Sequence, residues 1–480
     1  MFIFMTDPFG SIVSRPTGCC STYTIVPRAV LLNTTAAVQN LHLACTPQTH
    51  IIAANRWKVP PEKDKETIMA AKLVGNAVVG QSGGPTAVIN QSLVGVILEA
   101  QKAGHIQELL GARHGVRGIV NDQYYKLKAA PKELLERIAL TPSSALGSTR
   151  DKPDADYCKK ILENFKKNNV RYFFYIGGND SADTARIVND MAKDDGYELR
   201  AYHIPKTIDN DLRVHDHTPG YGSAAKFVSS AFIGDNYDNR SLPGIKINVV
   251  MGRHAGWLTA ASVLARKYEN DGPHLVYVPE VPVTEEKLLA DVDRVYSKLG
   301  RCIIAASEGI SLPEKNAKGH YITWAEKAAQ NIEHDSHGNI QLSGSGALGD
   351  CISQLITQKL PNPGGKKLRV RADTLGYLQR SFPGYISKID AAEAREVGKR
   401  AVKYSAKAGT EGSSVYMYRV PGQDYEINYA ITPIANVARE TKDLPADWIV
   451  DGCDISEKYL QYAKPIVGDQ PQVGILDELK

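Results

Sequence analysis

The sequence predicts an α/β protein with parallel-rich sheets and helices on both faces. Three observations lead there. From Leu73 onward, short apolar runs alternate with stretches whose apolar residues recur at helical spacing. That β-α-β-α rhythm belongs to parallel sheets, because parallel strands need a crossover between them. The apolar runs also end repeatedly in glycine, carboxylate or arginine, where ligands collect in such folds.

The elements follow in order. NAVVG (76–80) reads as a buried strand, and TAVINQSLVGVILEAQKAG as a helix stopped by Gly104. ELLGARHG is a second strand running into a loop, and PKELLERIAL a short helix. YCKKILENFKKNNV is an amphipathic helix leading into the strand RYFFYIGG. DTARIVNDMAKDDG is a helix leading into the strand RAYHIPKT. INVVMGR (247–253) and RCIIAASEG (301–309) are later strands, and GWLTAASVLARKY and VTEEKLLADVDRVYSKLG later helices. KKLRVRAD is a basic, alternating strand, and from GTEGSSVYMYRV onward short strands give way to an irregular tail.

Composition bounds the function. The chain has 480 residues, enough for two or three domains, and its hydrophobic fraction of 43% is ordinary for a folded protein. The net charge of +4 comes from interspersed acids and bases, with no basic block to suggest nucleic acid. No run reaches the roughly 18 apolar residues of a membrane span. The seven cysteines form no C-x-x-C pair, which points to a reduced, cytoplasmic protein. Residues 1–68 stand apart. They are rich in Thr, Ser, Ala and Pro, and Asp7 is the single acid before Glu62. Arg15, Arg28 and Arg56 give them a transit-segment flavour. They read as a disordered extension, or as residues upstream of a start at Met69.

The strand ends carry the chemistry. After the first strand, Gly83 and Gly84 open a turn into a helix N-terminus, a place for an anion, although tight turns need glycine anyway. Arg150 in LGSTRDKP is either a solvated arginine or a forked phosphate donor. IGGNDSADTA looks like another phosphate turn, yet Asp180 places an anion where an anion would bind. In PKTIDNDL, Thr207, Asp209 and Asp211 alternate beside Lys206 and Asn210. If extended, the three project to one side. One carboxylate could then take a proton from an attacking alcohol and another hold Mg²⁺. A plain Asp/Asn-rich turn would look the same. MGRHAGW supplies Met251, Gly252 and Arg253, AASEG supplies Glu308, and DTLGYLQRS supplies Tyr377 and Arg380. Together these loops suit two phosphate-bearing ligands, with acids for sugar hydroxyls and arginines for phosphate. His334 and His337 have metal-like spacing in a polar loop, and His215 and His217 are ambiguous.

The series SGGPTAVIN, LGST-R, IGGND, PKTIDND, PGYGSAAK, MGRHAGW, SEG and LGYLQRS, from Leu73 to Val402, resembles the 6-phosphofructokinases. The resemblance implies two Rossmann-like domains with the chain passing between them more than once. Residues 69–215 would form the phosphoryl-donor domain and 216–480 the fructose 6-phosphate domain, crossing back to the first. It implies transfer of a phosphoryl group to the 1-hydroxyl of fructose 6-phosphate, with Mg²⁺, in a homodimer or homotetramer. Asp209 would be the general base, with Thr207 beside it and Asp211 near the reacting groups and metal. Arg150 and Arg253 would meet the transferring group, and Gly83 and Gly84 would cradle the donor. Met251, Gly252, Glu308, Tyr377 and Arg380 would hold the sugar phosphate, Arg380 within the chain or across a subunit interface. ATP-dependent members usually have Gly-Gly-Asp-Gly and Pro-Gly-Thr-Ile-Asp-Asn-Asp. Here Asp180 and Lys206 replace two glycines, and with Lys226 they resemble the pyrophosphate-dependent branch. A full negative charge at 180 would repel the α-phosphate of a nucleotide. Asn179 stands where the family has an aspartate metal ligand, so the metal set would be Asn179, Asp180 and Asp211 with the first of these weakened. An ATP-dependent enzyme of the family and a non-catalytic regulatory subunit are the alternatives.

Overall fold

The computed structural model describes residues 73–328, 346–361 and 368–479, together with three short strands nearer the N-terminus. Those three, Ile3–Thr6, Ile12–Arg15 and Thr24–Val26, form a small antiparallel sheet. The rest of the N-terminal extension, and His334 and His337, lie outside the described residues. Residues from Ile68 on make one compact unit.

That unit is organised around two sheets. The larger has seven strands in the order Ile427–Pro433, Ser413–Arg419, Arg200–Pro205, Val170–Gly177, Gly75–Gln81, Ile106–Ala112, Tyr124–Lys126. Its five central strands are parallel, and the strand at each edge is antiparallel. The smaller sheet is all parallel, in the order Leu275–Tyr277, Cys302–Ser307, Ile245–Val250, Val370–Thr374.

Period-two alternation explains why the strands read as unbroken apolar runs. In the larger sheet Ala77, Val79, Phe174 and Ile204 feed one core, while Val78, Phe173, Tyr175 and Ala201 feed another on the opposite face. The smaller sheet splits the same way, with Ile304 and Ala306 on one side and Ile303 and Ala305 on the other. Both faces of both sheets are therefore covered. Helices Ala155–Lys167, Glu285–Leu299 and Lys388–Ser405 start on side-chain caps from Asp154, Thr284 and Ser387. Such caps contribute about 1 kcal/mol each.

The C-terminal part of the chain returns to the larger sheet. After the last strand of the smaller sheet, helix Lys388–Ser405 packs on helix Ile89–Ala100 of the larger layer. The approach is backbone to backbone. A Cβ on Gly95 would lie 2.1 Å from the Arg395 carbonyl oxygen, and one on Gly398 would lie 2.1 Å from that of Ser92. Two glycines are what let these helices meet. The strands that follow, Ser413–Arg419 and Ile427–Pro433, then complete the larger sheet, so SVYMYRV is a packed strand as expected. One expectation differs. GWLTAASVLARKY is not one helix: Trp257–Ala260 makes a single turn and Ala261–Ala265 tightens to a 3₁₀ turn. Every residue from Trp257 to Ala265 is buried there, so packing on all sides decides the geometry rather than one amphipathic face.

Candidate active site

A cavity of about 920 Å³ opens at the carboxyl ends of strands from both sheets. Of the residues singled out in the sequence, it brings together Gly83, Gly84, Arg150, Asn179, Asp180, Lys206, Thr207, Asp209, Asp211, Met251, Arg253, Glu308, Tyr377 and Arg380. Gly252 stands one step behind the wall, its carbonyl accepting a hydrogen bond from the Ser307 hydroxyl. Arg380 reaches the cavity within its own chain.

The glycine turn after strand Gly75–Gln81 is a floor for cations. Gly83 has φ +75, and a Cβ there would sit 3.2 Å from the Lys206 ammonium. A Cβ on Gly84 would sit 3.1 Å from the Arg380 guanidinium. Lys206 Nζ donates to the Gly84 carbonyl at 2.7 Å. Lys206 is buried, and that burial draws its pKa down to about 8, with Asp209 opposing the change and Arg380 adding to it. The lysine stays mostly charged at neutral pH. It also costs more to bury than an exposed one, a cost that an anionic ligand offsets. Arg380 lies 4.4 Å over the Tyr377 ring, and its own pKa is lowered by burial and by Arg150.

The Thr207–Asp211 segment converges on the cavity, but by a different route from the extended one expected. Asn210 has φ +56, so the backbone turns between the two aspartates. The Asp209 N–H donates to Thr207 Oγ1 at 3.1 Å, pinning the turn from inside. Thr207, Asp209 and Asp211 all line the cavity, with the left-handed Asn210 between the two aspartates. Burial, then Asp211, then Glu308 hold the Asp209 carboxyl up at about 7. Asp211 is also raised, mainly by burial. A carboxyl poised near neutrality within reach of a second one is the electrostatic profile of an acid–base group. Glu308, buried, is hung from the smaller sheet by its N–H to the Val250 carbonyl at 2.8 Å.

Asp180 is exposed at the rim, its carboxylate 3.3 Å from the Lys152 ammonium. Asn179 is engaged at both ends of its amide. The Arg439 N–H donates to Asn179 Oδ1, and Asn179 Nδ2 donates to the Glu440 carbonyl at 2.8 Å. The two ambiguous histidines lie outside the cavity. His215 bonds to the carbonyls of Arg213 and Val415. His217 is fully buried between Asp216, at 2.9 Å, and Glu393, at 2.6 Å.

Sequence reasoning missed several participants. Lys152, His254, Arg439 and Thr441 line the cavity. Gln379, buried, accepts from the Met251 N–H at 3.1 Å and donates to the Gly376 carbonyl at 2.8 Å, fixing the wall between the smaller sheet and Arg380. Its place beside Arg380 in LGYLQRS was the available signal. Arg439 and Thr441 had none, being some 260 residues from Asn179 in the chain.

Comparison with known proteins follows the same residues. The family model for phosphofructokinase matches residues 76–405. A pyrophosphate--fructose 6-phosphate 1-phosphotransferase of Rhodospirillum rubrum is 51% identical over 395 residues, covering 82% of this chain and 94% of its own. One of the same name from Xanthomonas campestris is 35% identical, covering 83% of this chain and 93% of its own. A crystal structure of a pyrophosphate-dependent phosphofructokinase from Nitrosospira multiformis superposes with a TM-score of 0.71 at 30% identity, covering 84% of this chain and 94% of that one.

Proposed function

The chain belongs to the phosphofructokinase family, and from that membership we propose that it reversibly transfers a phosphoryl group from pyrophosphate to the 1-hydroxyl of fructose 6-phosphate. The products are fructose 1,6-bisphosphate and phosphate. One observation carries the choice of donor: Lys206 and Asp180 line one cavity, the first buried against the glycine turn and the second exposed at its rim. A compact charge under the turn suits a short, highly charged donor, and a carboxylate at the rim opposes a third phosphate and nucleoside beyond it.

The residues support a simple division of labour. Asp209 takes the proton of the 1-hydroxyl as that oxygen forms its bond to phosphorus, with Thr207 holding the turn. The bond from that phosphorus to the bridging oxygen of pyrophosphate breaks, and the electron pair leaves with phosphate. Arg150 and Arg253 stabilise the charge in flight. Arg380 and Tyr377 grip the 6-phosphate, while Glu308, Met251 and Gly252 shape the sugar side. The donor side follows residues 69–215 and the sugar side residues 216–480, apart from the return segment.

Asp209 and Asp211, both buried with raised pKa values and the first pushed up further by the second, fit a divalent cation. No group of three His, Cys, Asp or Glu side chains close enough for a metal occurs among the described residues. That suits Mg²⁺, which keeps waters and phosphate oxygens and needs few protein ligands. Asp211 and Asp180 would hold it, and when bound it neutralises phosphate charge. The reading carries with it a cytoplasmic homodimer or homotetramer. Among the described residues no helix is long and apolar enough to cross a membrane.

The test supplies purified protein with fructose 6-phosphate and Mg²⁺, and either pyrophosphate or ATP. Turnover with pyrophosphate is expected. Turnover with ATP alone overturns the donor assignment, and turnover with neither favours the regulatory subunit.

A further inference from the structure

Residues Arg439–Lys442 run between the two halves of the site, and every one of them is tied to it. The Arg439 N–H and the Glu440 carbonyl take the two ends of the Asn179 amide, just behind the donor turn. Glu440 pairs with Arg213, and Arg439 Nε donates to Asp183 at 3.2 Å. Thr441 bridges to Leu212, antiparallel, and the Lys442 N–H donates to the Asp211 carbonyl at 2.7 Å. The Lys442 ammonium donates to the carbonyls of His215 and Asp216 at 3.1 and 2.9 Å and lies 4.6 Å over the Trp257 ring. The Trp257 indole N–H returns a bond of 3.0 Å to the Lys442 carbonyl. Arg439 and Thr441 themselves line the cavity.

We infer that Asn179 is a positioning residue, the latch that docks the Arg439–Lys442 strap and so fixes the donor turn relative to the Asp209–Asp211 turn. The chemistry at position 179 is specific to an amide. The strap offers one donor and one acceptor, the Arg439 N–H and the Glu440 carbonyl, and Asn supplies one of each. A carboxylate would accept from the first and repel the second. The far end of the strap is anchored under Trp257, so slack introduced at Asn179 is taken up from Arg439 to Thr441, the two residues of the strap that line the cavity.

The kinetic half of the inference rests on the phosphoryl-transfer reading; the structural half does not. In full-length protein without ligands, Asn179→Asp and Asn179→Ala are compared with the unaltered chain by hydrogen exchange and mass spectrometry. Exchange at the Arg439–Lys442 amides is expected to quicken about tenfold or more in both variants, with helix Tyr221–Ser241 unchanged. With substrates, KM for pyrophosphate should rise several-fold, and the Mg²⁺ concentration for half-maximal rate should not fall. Unchanged exchange in the Asp variant, with a lowered Mg²⁺ requirement, overturns the latch and makes residue 179 a metal ligand instead. Unchanged exchange with unchanged kinetics overturns it as well. If the protein proves inactive with pyrophosphate, the exchange result alone decides.

Discussion

The pKa of Asp209 can be moved in either direction by choosing which neighbour to remove. Its ordinary value of 3.8 is raised to about 7, a bias of about 4 kcal/mol toward the neutral acid. If Asp209 is the base, the forward rate should fall about tenfold for each pH unit below 7, as the ionised fraction does. Asp211 raises this pKa and Lys206 lowers it. Asp211→Asn should therefore carry the acid limb to lower pH by about one unit, the lower end of what a like charge within a few ångströms does. Lys206→Met should carry it to higher pH by a similar or smaller amount. The assay is kcat/KM for fructose 6-phosphate at saturating pyrophosphate, from pH 5.5 to 9. The phosphates of the substrates titrate in this range too, but identically for every variant, so the displacement between variants reports the enzyme. Limbs that move the same way in both variants, or not at all, refute the assignment of Asp209. Because the two carboxyls titrate as a pair, the measured limb belongs to the pair.

The double variant Asp180→Gly, Lys206→Gly should lose most pyrophosphate turnover and gain some with ATP; unchanged pyrophosphate kinetics would remove both residues from donor selection. Gly398→Ala should destabilise by about 3 kcal/mol, since its Cβ meets backbone at 2.1 Å, whereas Gly234→Ala, with nothing within 4 Å, should be neutral or stabilise by up to about 1 kcal/mol. Thermal melts separate the two, and equal melting temperatures would contradict the helix crossing. Burial works against charge on His217, but Asp216 and Glu393 outweigh it and raise its pKa to about 9. A raised pKa stabilises the fold fully below about 6.5, and that contribution is lost as pH climbs through 9. Urea midpoints should decline across that window, and His217→Gln should flatten the decline.

How much of this was legible depended on distance along the chain. The strand-end motifs were legible because each ligand-facing loop is local, its glycines and charges adjacent to the strand that ends there. Thr207, Asp209 and Asp211 share one cavity along a turn rather than an extended segment, and the sequence left both open because side-chain spacing cannot distinguish a strand from a turn through a left-handed Asn210. The motif around Asn179 supplies only the frame of a weakened metal ligand. Its partners, Arg439 and Glu440, lie in a stretch with no periodicity or motif of its own. GTEGSSVYMYRV was legible as a strand but not as the neighbour of Arg200–Pro205, since pairing partners leave no mark on local composition.

The crossing at Gly95 and Gly398 also sets a schedule. Helix Ile89–Ala100 is synthesised about 300 residues before the helix that packs on it, Lys388–Ser405. At roughly 5–20 residues per second on the ribosome, that is an interval of about 15–60 seconds. Through that interval the nascent larger sheet lacks a covering helix and two of its strands, so it leaves the ribosome with an apolar face and an open edge. Any holding factor that shields nascent chains would find its longest engagement here, and a chain released early, before Ser405, could not close its first layer.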